Sequence, residues 1–171
     1  ILARLRDWKT GNPLDPANHL GALIDTEHCK KVAHYLEEGS ALAGGVMQGA
    51  YLPPTIYKAE PDDKRAREEI FGPILSVITV QSLEEAIEIA NDTPYGLSAS
   101  LFTSHARNAL TTARAIRAGN VTVNCYGEGD ITTPFGGYKQ SGFGGRDNGL
   151  HAHDQYTELK TIWIDLSDPA S

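Results

Sequence analysis

Residues 74–80 read Ile-Leu-Ser-Val-Ile-Thr-Val. The run is short, β-branched and almost continuously apolar, the pattern of a strand buried on both faces. The residues after it decide the fold. Ser82 opens Ser-Leu-Glu-Glu, a capping box with Glu85 at the third position. Leu83, Ala86, Ile87 and Ala90 then recur on one helical face. Asn91-Asp92-Thr93-Pro94 stops that helix, because proline cannot continue the hydrogen-bond ladder. The unit repeats. Residues 97–103 read as a second strand, and Ser104 caps a helix carrying Ala106, Ala109, Leu110, Ala113 and Ile116 on one face. Gly119 closes that helix, and residues 120–126, Asn-Val-Thr-Val-Asn-Cys-Tyr, form a third strand. Strand–helix–strand–helix–strand with short connections implies an α/β fold, a twisted parallel sheet with flanking helices. In such sheets ligands sit beyond the carboxyl ends of the strands, so residues 127–146 leave the third strand where sites occur.

Working outward, residues 12–25 are a loop, and Thr26 stands at an N-cap position with Glu27 in the first turn. Cys29, Val32, Ala33 and Leu36 come next at helical spacing, and Gly39 ends the pattern. That stripe makes Cys29 a small apolar core residue. Residues 39–68 are broken by glycines and Pro53-Pro54, with a short strand at Thr55-Ile56-Tyr57. At the other end, Thr157 to Leu166 is strand-like, Ile162, Ile164 and Leu166 alternating with Trp163 and Asp165. A lone strand there must pair with another domain or another subunit. The opening Ile-Leu-Ala-Arg-Leu-Arg-Asp-Trp lacks methionine and reads as the end of a helix already under way, so a piece of a longer chain is expected.

The 171 residues are 40% hydrophobic and 22% charged, enough for one globular core. A net charge of −7 without any long basic run argues against a nucleic-acid partner. No apolar stretch approaches the roughly 20 residues that cross a bilayer, so no membrane partner is expected. No leader is visible, and two distant cysteines fit neither a metal site nor a disulfide framework, so a reducing cytoplasm is expected.

Four stretches invite chemistry. Residues 134–145, Pro-Phe-Gly-Gly-Tyr-Lys-Gln-Ser-Gly-Phe-Gly-Gly, hold five glycines and Lys139, as a phosphate cradle would. Yet no glycine stands at P-loop spacing before Gly137-Tyr138-Lys139, and Gly-x-Gly-x-x-Gly does not occur. Glu68-Glu69-Ile70-Phe71-Gly72-Pro73 reads either as a fixed turn presenting a carboxylate beside an aromatic ring or as a solvated helix end. His151 and His153 are two apart, which does not share a helix face, so no metal is expected. Cys125 ends a strand at the site edge but has no cationic neighbour in sequence to activate it.

Taken together, Glu-Glu-Ile-Phe-Gly-Pro (68–73), Asn-Asp-Thr-Pro-Tyr-Gly-Leu-Ser-Ala (91–99), Gly-Asn-Val-Thr-Val-Asn-Cys (119–125) and Pro-Phe-Gly-Gly-Tyr-Lys-Gln-Ser-Gly (134–142) resemble the NAD(P)-dependent aldehyde dehydrogenases in order and spacing. The resemblance covers nearly the whole chain and is weakest at 39–55, where this sequence looks shortened. It implies that residues 1–150 are the C-terminal part of the family's catalytic domain and 151–171 its oligomerisation strand and tail. The dinucleotide-binding domain, the nucleophilic cysteine and the general-base glutamate would then lie upstream, leaving no catalytic residue in this chain. The family reaction is attack by a cysteine thiolate on the aldehyde, hydride transfer to NAD or NADP, and hydrolysis of the thioester by glutamate-activated water.

Residue by residue, the resemblance implies that Glu69 hydrogen-bonds the nicotinamide ribose, that Phe71 lies beside the nicotinamide, and that Phe135 lines the aldehyde tunnel. Arg146 and Glu158 match a pair near the subunit interface of a homo-oligomer, dimer or tetramer; an ordinary surface ion pair is the alternative. The family commonly has Ser-Gly-x-Gly-Arg where this chain has Ser-Gly-Phe-Gly-Gly-Arg, one glycine more before Arg146. Residues 127–133 and 150–164 look most like γ-glutamyl-γ-aminobutyraldehyde dehydrogenases of bacterial putrescine breakdown. There Glu128 and Asp130 either sit at the tunnel mouth, favouring a small-molecule aldehyde with an ammonium group, or simply face water. The other reading is an isolated, non-catalytic fragment or assembly module.

Overall fold

The computed structural model describes residues 1–37, 39–127 and 129–167. The chain divides into two compact units, Ile1–Gln81 and the part from Ser82 onward. The strands are the four-residue β1 (Thr55–Lys58), β2 (Ile74–Val77), β3 (Ser98–Leu101) and β4 (Asn120–Val123). The helices are α1 (Leu2–Leu5), α2 (Thr26–Ala33), α3 (Lys64–Arg67), α4 (Leu83–Asn91) and α5 (Ala106–Ala115). None is long and apolar enough to cross a membrane among the described residues.

Both sheets are parallel, as the alternation of strands and helices implies, but the expected three-strand run divides. β2 pairs with β1, in register Thr55↔Ile74 to Lys58↔Val77. β3 pairs with β4, in register Ser98↔Asn120 to Leu101↔Val123, with α5 as the crossover packed on both. The burial expected for 74–80 belongs instead to β1. Thr55, Ile56 and Tyr57 are almost fully covered, whereas Leu75 of β2 is 46% exposed.

In the first unit the core is Val32, Leu52, Ile56, Tyr57, Ala59 and Cys29, so Cys29 is buried on the stripe that its spacing defines. Asp25, not Thr26, is the N-cap of α2: its carboxylate accepts from the His28 N–H at 2.7 Å. In the second unit Ser82 caps α4 as expected, its Oγ accepting from the Glu85 N–H at 3.0 Å. His105 rather than Ser104 precedes α5, without a side-chain cap. The covered face of α5 runs through Ala109, Thr112, Ala113 and Ile116, leaving Leu110 exposed.

The terminal strand expected at 157–166 is not formed. Residues 157–167 carry no regular structure, and Leu159, Trp163 and Leu166 are at least 90% exposed. A β-strand needs a neighbour for its ladder, and among the described residues this segment has none.

Candidate functional site

The first site is built around the turn after α3. Glu68 ends that helix in extended geometry, and its Oε2 accepts from the Tyr35 hydroxyl at 2.6 Å. Glu69, next in the chain, is exposed and lines the cleft. This separates the two adjacent acids. Phe71 then adopts φ +55°, a left-handed conformation that costs a bulky residue about 1–2 kcal/mol. Its ring is 75% exposed. Three contacts hold the turn. The Phe71 carbonyl accepts from His28 Nε2–H at 2.7 Å. A Cβ on Gly72 would lie 3.0 Å from the Val32 side chain, so the turn lies in tight contact with α2 and a larger residue there would have to displace Val32. The Thr55 N–H donates to the Pro73 carbonyl at 2.8 Å, fastening the turn to the start of β1. The fixed-turn reading of 68–73 therefore describes the structure. Glu69, Phe71, His28, Lys31, Tyr35 and Leu23 share one open cleft of about 1080 Å³.

The second site lies past the end of β4. Asn124, at φ +58°, locks β4 to the end of β3 with both amide atoms, accepting from the Thr103 N–H at 2.8 Å and donating to the Thr103 carbonyl at 2.9 Å. The chain then crosses Tyr126 and returns through Phe135, which exchanges two 2.7 Å backbone hydrogen bonds with Asp147. Gln155 backs this bridge, donating to the Arg146 carbonyl at 2.7 Å and the Asp147 carboxylate at 2.9 Å. Phe135, Asp130, Tyr126, Asn148, Ser100 and Thr122 line a cleft of about 320 Å³, the size of small-ligand pockets. Asp130 Oδ1 accepts from both the hydroxyl and the N–H of Thr132, at 2.6 and 2.7 Å. The hydroxyl first, then the backbone N–H, hold its carboxyl below the ordinary aspartate range, so it carries its charge at neutral pH. Glu128, paired with Asp130 on sequence, lies outside the described residues.

The glycine stretch works through close approach. A Cβ on Gly119 would run into the Gly136 carbonyl, and one on Gly137 into Ser141. The Tyr138 N–H donates to the Gly96 carbonyl at 2.7 Å, and Ser141 Oγ accepts from the Gly96 N–H at 3.0 Å. Lys139 is not aimed at a phosphate. Its ammonium donates to the Asn91 and Thr93 carbonyls at 2.8 and 3.0 Å, satisfying the C-terminal end of α4.

Arg146 and Glu158 are not brought together among the described residues. The added glycine places Gly144 at φ +110°, open to glycine alone. The Arg146 guanidinium turns back to the Gly145 carbonyl at 2.7 Å and the Tyr138 ring at 5.4 Å. Glu158 is exposed. Cys125 is half-buried, with no hydrogen-bonded cation or histidine among the described residues. Sequence reasoning missed His28 and Tyr35, whose partners Phe71 and Glu68 lie far away in the chain and leave no local pattern, and Tyr126 and Asn148, which only the fold brings to the cleft.

Comparison with known proteins supplies the frame for both clefts. The sequence pattern of the Aldehyde dehydrogenase family matches residues 1–162. Aminoacetaldehyde dehydrogenase of Pseudomonas aeruginosa is 54% identical over 174 residues, covering 98% of this chain and 35% of that protein. The NADP/NAD-dependent aldehyde dehydrogenase PuuC of Escherichia coli is 45% identical, covering 94% of this chain and 34% of PuuC. The crystal structure of γ-glutamyl-γ-aminobutyraldehyde dehydrogenase from Burkholderia cenocepacia superposes with a TM-score of 0.86 at 49% identity, covering 93% of this chain and 34% of that one. The chain thus spans about a third of the length of the relatives it matches. With a match over 162 consecutive residues and this fold likeness, the chain belongs to the aldehyde dehydrogenase family.

Proposed function

We propose that residues 1–150 form the C-terminal part of the catalytic domain, and residues 151–171 the oligomerisation strand and tail, of an NAD(P)-dependent aldehyde dehydrogenase. Its substrate is an amino- or γ-glutamylamino-aldehyde, oxidised to the carboxylic acid. The observation that carries this reading is the 68–73 turn, which exposes Glu69 and Phe71 on one cleft while Glu68 and the Phe71 carbonyl are tied down.

The residues suit the cofactor. An ionised carboxylate only accepts hydrogen bonds, which matches the hydroxyls of a ribose, and the exposed Phe71 ring offers a flat apolar face to a nicotinamide. Glu69 and Phe71 would hold NAD or NADP, which when bound supplies the hydride acceptor. Fixing the ribose fixes the angle of the ring beyond it, and orientation of this kind is worth orders of magnitude in rate. In the other cleft Phe135 and Tyr126 form apolar walls, and Asp130 supplies negative charge for a cationic substrate; on the sequence Glu128, two residues before it, carries a second acidic group. The relatives named for aminoacetaldehyde and γ-glutamyl-γ-aminobutyraldehyde support that substrate class.

On this reading the nucleophilic cysteine and the general base are supplied from upstream, since Cys29 is buried and Cys125 has no hydrogen-bonded cation or histidine among the described residues. The 171-residue chain alone then turns over no aldehyde. Arg146 and Glu158 belong to the surface between subunits of a homo-oligomer. Reversing Glu158 to lysine weakens assembly of the full-length enzyme, read as a shift to lighter species by analytical ultracentrifugation; an unchanged oligomer counts against it.

The substrate class is tested with the double variant Glu128→Gln, Asp130→Asn in the full-length enzyme. The expected result is a rise of about 3- to 10-fold in KM for an amino-aldehyde, with a neutral aldehyde of equal length unaffected. An equal loss on both substrates contradicts it. Because Thr132 holds the Asp130 carboxyl low, the share of this preference that Asp130 carries persists as the solution is made mildly acidic and is lost only as the pH falls below the ordinary aspartate range.

A further inference from the structure

We propose that His28 is a positioning residue for the cofactor-side turn, holding the Phe71 carbonyl so that Glu69 and Phe71 keep a single orientation toward the cleft. The inference rests on the functional reading above but concerns a residue that touches the turn rather than the reacting atoms. His28 is 43 residues from Phe71 in sequence, and its Nε2 lies 2.7 Å from the Phe71 carbonyl oxygen. A carbonyl oxygen only accepts, so Nε2 carries the proton, and the bond survives whether the ring is neutral or protonated.

The histidine is itself anchored. Its backbone N–H is held by the Asp25 carboxylate at 2.7 Å, at the capped start of α2. The same helix receives Gly72 against Val32. Two successive residues of the turn are thus indexed against α2, while Phe71 occupies a backbone conformation, φ +55°, that bulky residues avoid. A strained backbone persists only where its surroundings over-determine it. Without the His28 donor, Phe71 relaxes toward an ordinary conformation. That rotation turns its ring and carbonyl together and moves Glu69, two residues away. His28 is half-buried on the cleft wall rather than in the core, so its contribution is geometric more than one of packing.

The test uses the full-length enzyme with rates normalised by active-site titration. His28→Met keeps bulk and removes the donor, whereas His28→Gln returns an N–H at similar reach. The expected result is single-turnover hydride transfer about tenfold slower in His28→Met, with the cofactor Kd within about threefold of the unaltered enzyme. His28→Gln is expected to remain within about threefold in rate. An unchanged rate in His28→Met overturns the proposal, as does a His28→Gln variant as slow as His28→Met. A Kd weakened in step with the rate also overturns it, because His28 would then be a direct cofactor ligand. If His28→Met fails to assemble, long-range ¹H–¹⁵N spectra of the unaltered enzyme labelled at histidine decide. The Nε2-protonated tautomer supports the proposal and the Nδ1-protonated tautomer overturns it. Failure of the underlying functional reading looks different: the unaltered enzyme then oxidises no aldehyde with NAD or NADP.

Discussion

The turn at 68–73 and the glycine stretch at 134–146 each place a phenylalanine on a cleft, and they do so by opposite means. In the first, a bulky residue is forced into a left-handed backbone and held by a side chain from a distant helix. In the second, the backbone before and after Phe135 packs so closely that side chains are excluded at Gly119, Gly136 and Gly137. The first device depends chiefly on hydrogen bonds donated to its backbone, by His28 and by the Thr55 N–H, and the second on the absence of Cβ atoms. The difference teaches that composition advertises the second and hides the first. Five glycines in twelve residues catch the eye, while a lone histidine in a helix does not.

The comparison can be broken at its strongest point with Gly119→Ala. The added methyl meets the Gly136 carbonyl, which is backbone and has no rotamer to escape into. The expected loss is at least about 3 kcal/mol of stability, seen as a large fall in Tm or as failure to fold. A Tm within about 3 °C of the unaltered protein would mean that the loop is not packed as described. A smaller effect sharpens it. Lys139→Met removes the ammonium from two carbonyls at the end of α4, which is partly exposed and so costs about 1 kcal/mol. Because Lys139 caps a helix, cofactor affinity of the full-length enzyme should be unchanged. A marked loss of NAD or NADP binding with normal stability would return Lys139 to the phosphate reading.

Much of the second unit was legible in the sequence. Ser82 as a helix cap, Pro94 as a stop and the β3–α5–β4 repeat are local patterns, each set within a few residues. The partner of β2 was not, because Val, Ile and Leu content does not specify which neighbour completes the ladder. Burial was misassigned between β1 and β2 for the same reason: Tyr57 is covered while Leu75 stands open. The terminal segment has the alternation of a strand, but a ladder cannot form with one edge. At the sites, resemblance to the family named Glu69, Phe71 and Phe135, and the structure sets each of them on a cleft. What holds them was invisible. His28 and Phe71, like Gln155 and Asp147, meet only through the fold.

The most direct test of the account is Glu69→Gln in the full-length enzyme, with hydride transfer monitored in a single turnover and in the steady state. Gln keeps the size of the side chain and loses the charge. A carboxylate that fixes the cofactor ribose predicts a fall of about tenfold or more in the rate of hydride transfer, with folding and assembly intact. Identical single-turnover and steady-state kinetics in the variant and the unaltered enzyme would contradict it.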